Sequence, residues 1–196
     1  MPLAQFPNLT PALPEIFLAV ASMTLLMMGV FAREEQGARS VSYTSIIVLI
    51  VALALVGLLA GGRVLTFGGA FVTDTFAVYI KALVLIASAG AILMSREYLI
   101  EHGINRFEFP VLIVLATLGM LMMVSANDFI SLYLGLELQS LSLYVIAAFQ
   151  RDSIRSAEAG LKYFVLGALA TGLLLYGVSL VYGFSGTTNF DVLATL

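Results

Sequence analysis

The sequence predicts an all-α fold, a polytopic bundle of six transmembrane helices. Three observations carry this. Of 196 residues, 61% are hydrophobic and 11% are charged, where a soluble domain carries about a quarter charged residues. The mean hydropathy is +1.05. The apolar runs are continuous rather than alternating, which suits helices and excludes a strand barrel.

A bilayer core needs about 20 apolar residues per helix. Six stretches qualify: 12–32, 43–61, 75–95, 109–126, 129–149 and 159–183. Residues 1–14 (MPLAQFPNLTPALP) contain no Lys or Arg, so no secretory signal peptide is read there. The first span carries Glu15 near its outer end, within reach of the headgroups, and stops at REEQGARS (33–40). The second stops at GGRVLTFGG (61–69), which has neither the dinucleotide fingerprint nor P-loop spacing. It reads as a turn with a small amphipathic stretch. The third span ends at REYLIEHGINRFEF (96–109), where His102 is a solvated loop residue. The fourth and fifth are joined only by SAND (125–128), so they are antiparallel neighbours. RDSIRS (151–156) precedes the sixth, whose Gly160, Gly167 and Thr171 share one face suited to close helix packing.

Lys and Arg set the orientation. Connections 1–2, 3–4 and 5–6 hold Arg33, Arg39, Arg96, Arg106, Arg151 and Arg155, while the opposite side holds only Arg63. Six against one puts both termini outside, with the odd-numbered connections in the cytoplasm or the matrix.

Composition also excludes chemistry. The absence of cysteine removes disulfides, thiolate catalysis and iron–sulfur ligation from this chain, and a single histidine cannot build a His₃ metal site. A net charge of −3 with scattered basic residues gives no nucleic-acid footprint.

Ionisable residues inside the spans are therefore the candidates. Asp74, Lys81, Ser88 and Ser95 recur every seven residues and make one polar stripe along the third span. Lys81 lies about 9 Å down it. It either snorkels outward or belongs to the inward stripe. Lys162 is near the inner end of the sixth span and either pairs with Glu158 in the favourable i, i+4 order or serves a relay. Glu137, in LYLGLELQSLSLYVI (132–146), is eight residues into the fifth span, about 12 Å deep. A glutamate is too short to snorkel from there. An ionised residue at mid-helix costs roughly 2.5–3.5 kcal/mol on insertion scales and faces a bundle interior or a hydrated cavity. At 100° per residue, Tyr133, Glu137, Ser140 and Tyr144 fall within about 60°, and Ser131, Gly135 and Ser142 mark the opposite face. Both faces suit protein packing. Glu137, Lys162 and Lys81 are thus candidate proton-relay residues, with Tyr133, Ser140 and Tyr144 as supporting polar groups. A static, hydrogen-bonded Glu137 is the structural alternative.

The stretch 127–190, above all LGLELQSLSLYV and EAGLKYFVLGALATGLLLYG, resembles subunit N of bacterial NADH–quinone oxidoreductase, respiratory complex I. The mitochondrial equivalent is NADH dehydrogenase subunit 2. DTFAVYIKALVL (74–85) is similar to it too; the first two spans match only in style. The resemblance implies an antiporter-like fold with inverted repeats, of which this chain is the N-terminal part. The repeat begins near 109 and is incomplete. It implies a proton-translocating membrane-arm subunit that couples NADH oxidation and quinone reduction to proton movement. NADH, FMN, iron–sulfur clusters and quinone then belong to partner subunits, and no cofactor is expected in this chain. The implied partners are other membrane subunits of the complex and the bilayer, with no nucleic acid. The implied location is the bacterial or mitochondrial inner membrane, with both termini on the periplasmic or intermembrane side. Glu137 matches the family's fifth-helix glutamate, which acts on a lysine of the seventh helix, and Lys162 matches a lysine near the same half-channel. That seventh helix lies beyond Leu196, so the chain is expected to be a fragment or a truncated product. Two alternatives stand: a subunit of an Mrp-type cation/proton antiporter, and a non-catalytic membrane scaffold.

Overall fold

The structure, a computed structural model, describes residues 8–32 and 34–196. Arg33 and the stretch 1–7 lie outside the described residues. The elements are α1 (Leu13–Phe31), α2 (Glu34–Leu58), β1 (Val64–Thr66), β2 (Phe71–Thr73), α3 (Thr75–Glu101), α4 (Glu108–Val124), α5 (Phe129–Ala147), α6 (Ile154–Ser185) and α7 (Phe190–Leu193). Each predicted span is a helix. Five of the described helices are long and apolar enough to cross a membrane, and α4, at 17 residues, is shorter. The chain is a multi-pass membrane protein. At 32 residues, α6 runs about 48 Å and exceeds the hydrocarbon core. Its first turns carry Arg155 and Glu158, groups that belong at the membrane surface.

Local chemistry sets the helix starts. Pro14 occupies the first turn of α1, where a missing N–H costs nothing. Asp74 caps α3 by accepting from Ala77 N at 2.7 Å, and Asp128 caps α5 by accepting from Ile130 N at 2.8 Å. The α6 helix ends on Gly186 at φ 71°, a left-handed C-cap.

The core is a four-helix cluster of α1 to α4. Leu18 and Leu25, Val41 and Leu49, Leu85 and Ile92, and Val114 and Leu121 meet there. The α5 helix lies antiparallel on α4, and α6 packs on α5. The α4–α5 contact is a backbone contact. A Cβ at Gly119 would sit 2.6 Å from Gln139 N, and one at Gly135 would sit 2.8 Å from Met123 N. Small residues at both positions let the helices approach without intervening side chains.

GGRVLTFGG does not form the expected amphipathic turn. It forms the first half of an antiparallel hairpin, with Val64 opposite Thr73, Leu65 opposite Val72 and Thr66 opposite Phe71. Two β-prone triplets, VLT and FVT, flank a turn in which Phe67, Gly68 and Gly69 all have positive φ. The hairpin is clasped at the same end of the bundle. Asn127 donates to Gly69 O and to Asp191 Oδ2, both at 2.9 Å, and Asn189 donates to Gly69 O at 3.1 Å. Arg63 completes the clasp with Asp191 at 2.6 Å. Thr66 donates to Asn8 O at 2.6 Å, which brings residues just before α1 to this end too.

Replacing Gly119 with valine is expected to cost about 1–3 kcal/mol through overpacking against backbone. Gly90→Ala, where nothing lies within 4 Å of a new Cβ, is expected to leave thermal unfolding in detergent unchanged or slightly improved. The clasp should respond to acid. Hydrogen bonds from Arg63 and Asn127 hold the Asp191 carboxyl below its ordinary value of 3.8. Its stabilising contribution is therefore complete above that ordinary value and is lost as pH falls through the lower folded value. Spin labels at the exposed positions 65 and 192 should separate in acid in the native chain, and should show no such pH step in Asp191→Asn.

Candidate functional site

Lys81 does not snorkel. Its side chain is among the most buried in the described residues, at 1% exposure, and Nζ lies 2.6 Å from Glu15 Oε1. Glu15 is correspondingly buried, at 6%, and is not the headgroup anchor expected from its position two residues into α1. The pairing itself is the physical reason, since each charge holds the other inside the bundle, and the hairpin adds the Phe71 ring 5.1 Å from Lys81 Nζ, a cation–π distance. Glu15 Oε2 is buried without a hydrogen-bond partner among the described residues, and Oε1 is held by the ion pair alone. Removing either member of such a buried pair leaves an uncompensated charge, at a cost of about 3–5 kcal/mol.

The stripe on α3 continues inward as read from the sequence. Ser88 is buried and accepts a hydrogen bond from Thr117 of α4 at 2.7 Å. Ile113 O also lies 2.7 Å from Thr117 Oγ1, so the single hydroxyl hydrogen is shared between the two acceptors. Ser95 turns back to Ile92 O at 3.1 Å.

Glu137 sits on a different part of the bundle. The α5 helix presents three faces. Gly135 and Ser142 are buried on the α4 side. Tyr144 packs edge-on against Tyr163 and Phe164 of α6, with ring centroids 4.7 and 5.7 Å away. Leu134, Leu141 and Val145 are exposed. By helical angle, Glu137 lies on the boundary between the α6-facing and exposed faces. It is half-buried, and its Oε1 is buried with no hydrogen-bond partner. The Tyr133 phenol faces the Glu137 carboxylate from one turn earlier. Tyr133 and Ser140 are half-buried. Tyr133, Glu137 and Ser140 are thus all half-buried on α5, whereas Tyr144 is committed to the α6 contact. It lies directly over Gly167, where a Cβ would overlap its hydroxyl.

Lys162 pairs with Glu158 at 2.5 Å, and both side chains are exposed, at 69% and 57%. The structure thus places Lys81 with Glu15, Lys162 with Glu158, and Glu137 with neither lysine among the described residues. The pairing of Glu15 with Lys81 and the bond from Thr117 to Ser88 were not anticipated. A signal for the first was available: both residues fall near the same predicted membrane face, and opposite charges at one depth pair.

Residues 126–196 match the family described as NADH:quinone oxidoreductase/Mrp antiporter, TM. Subunit N of NADH-quinone oxidoreductase from Paramagnetospirillum magneticum is 61% identical over 189 residues, which are 96% of this chain and 39% of that protein. A chain of respiratory complex I from Thermus thermophilus, solved with bound aureothin, has the same fold at a TM-score of 0.74 and 31% identity, over 90% of this chain and 38% of that one. A chain of the Mrp complex from a Dietzia species shares the fold at a TM-score of 0.64 and 24% identity, over 93% of this chain and 36% of its own length. The chain spans 39% of the length of the first curated relatives it matches.

The Tyr144–Gly167 contact gives a test of the α5–α6 seam. Gly167→Val is expected to lower thermal stability by about 1–3 kcal/mol. Combining it with Tyr144→Ala should recover part of that loss, a coupling of about 0.5–3 kcal/mol in a double-mutant cycle.

Proposed function

From its relation along nearly its whole length to subunit N of NADH-quinone oxidoreductases, we propose that the chain forms part of a membrane-arm subunit coupling NADH oxidation and quinone reduction to proton translocation. The observation that carries this reading is Glu137: a carboxylate about 12 Å into a membrane helix, with one oxygen buried and unpartnered. A static structural acid would have its lone pairs satisfied by protein. An orphan oxygen on the edge of the α5–α6 seam is instead open to a proton or to a counter-charge brought by a further element.

In this reading Glu137 acts electrostatically. A cation near it is stabilised in its charged form, and moving that cation or the carboxylate changes the interaction. At an effective dielectric near 20, two unit charges 4 Å apart interact by about 4 kcal/mol, worth nearly three units of proton affinity. Tyr133 and Ser140 line the same arc and offer hydroxyls to a hydrated path. Lys162 stands in the same role on α6, holding its charge against Glu158 until a neighbour draws it away. Lys81 is the third proton-carrying group. The helices from about residue 109 onward begin the antiporter-like repeat. NADH, FMN, iron–sulfur clusters and quinone sit in partner subunits, and the chain's own contribution is positioning and charge. The other membrane subunits of the complex are its partners. The membrane is the bacterial inner membrane or its mitochondrial equivalent. The arginine bias puts the hairpin end on the periplasmic or intermembrane side.

An Mrp-type cation/proton antiporter subunit is the second reading, supported by the shared fold. The higher identity to subunit N favours the first. Glu137→Gln, made in the complete subunit within its membrane complex, is expected to leave assembly intact and to reduce proton translocation coupled to quinone reduction several-fold. Native coupled rates in that variant would overturn the role given to Glu137. Loss of sodium- or potassium-dependent exchange without any effect on NADH-driven quinone reduction would favour the antiporter reading.

A further inference from the structure

We propose that Glu15 and Lys81 form a second intramembrane proton-exchange site, separate from Glu137, in which Glu15 Oε2 is the atom that takes up and releases the proton. This rests on the reading of Lys81 as a proton-carrying group and on nothing about Glu137.

Three features of the pair support it. First, stability alone is a poor reason for its presence. Replacing a buried ion pair with apolar residues of similar volume is often neutral or stabilising, and charges in a membrane interior mark functional sites by default. Second, the pair is chemically unfinished. Lys81 Nζ engages Oε1, and the Phe71 ring covers the ammonium. Among the described residues neither Glu15 oxygen accepts a well-directed hydrogen bond; Oε1 has the ion pair with Lys81, and Oε2 is buried with nothing. A proton is the one ligand that needs no further room there. Third, the pair is covered on one side and continued on the other. The Phe71 ring of the hairpin lies over Lys81 on the near side, while the α3 stripe leads from Lys81 to the Ser88–Thr117 hydroxyl pair.

The step is a simple proton transfer. An O–H bond forms at Glu15 Oε2, or an N–H bond of Lys81 breaks, and no electron moves. With both groups charged the pair is net neutral, and uptake of one proton leaves one net positive charge. Among the described residues no other ionised group is paired with it. On α3, Asp74 is engaged with the Ala77 amide. On α2, the buried neighbours in the span are the hydroxyls of Ser42 and Ser45, while Tyr43 binds Arg96 at the opposite end. On α4, Thr117 is neutral and Glu108 lies at the far end. On the hairpin, Arg63 is committed to Asp191.

The test is pH-difference infrared spectroscopy of the membrane complex containing the complete subunit, in lipid bilayers. The native complex is expected to show the C=O stretch of a buried protonated carboxyl that shifts in deuterium oxide. This band should be lost in Glu15→Gln, displaced in Lys81→Met and retained in Glu137→Gln. A difference spectrum identical in the native complex and in Glu15→Gln would overturn the proposal. The double variant Glu15→Gln/Lys81→Met carries no buried charge and should accumulate to native levels without the band. Its failure to accumulate would make the pair a structural pin and would also overturn the proposal. The readout needs no electron input, so it stands or falls apart from coupled turnover.

Discussion

A charge held in hydrocarbon must find its counter-charge inside the protein, because the lipid offers none. Lys81 imposes this requirement on the hairpin end of the bundle. Its ammonium needs Glu15, and the two side chains meet across the bundle between α1 and α3, which pack on α2 and α4 rather than on each other. The ammonium is also covered by the Phe71 ring of the hairpin. The hairpin in turn is held by Asn127 and Asn189 through Gly69 O, and by Arg63 through Asp191. A chain of contacts thus runs from one buried ammonium to the segment after α6, about a hundred residues later in the sequence.

The two acids in the membrane differ in how that requirement is met. Glu15 has its cation, buried with it. Glu137 has none among the described residues, and it lies where α5 turns from protein to open surface. One carboxylate is locked within the four-helix core, and the other stands at the rim of the packed region. The same residue type is placed under opposite electrostatic constraints by its neighbours.

The helices were legible because hydropathy and arginine placement report on a bilayer, and every predicted span is found. The arc of Tyr133, Glu137, Ser140 and Tyr144 was legible because helical angle is set by spacing alone. What escaped was contact between elements distant in sequence. Glu15 looked interfacial because its depth was measured along α1, whereas its side chain is drawn into the bundle by Lys81 of α3. The hairpin itself was obscured by its glycines, which read as a loop, while its two strands have three residues each. Tyr144 was grouped with Glu137 by angle, but the absence of a side chain at Gly167 draws it onto α6.

Packing chemistry also divides the molecule by stiffness. Where α4 meets α5, backbone touches backbone, and neither helix can slide without collision; α5 therefore moves as part of the α1–α4 block. Where α5 meets α6, the contact is made by aromatic rings around Tyr144 and by Ala148 against Gly160. Rings tilt more readily than backbones yield, so a push from a neighbouring protein would be taken up as shear along this seam. Glu137 stands at its edge, seven residues from Tyr144. A small sideways displacement of a helix is thereby turned into a change in what surrounds a carboxylate.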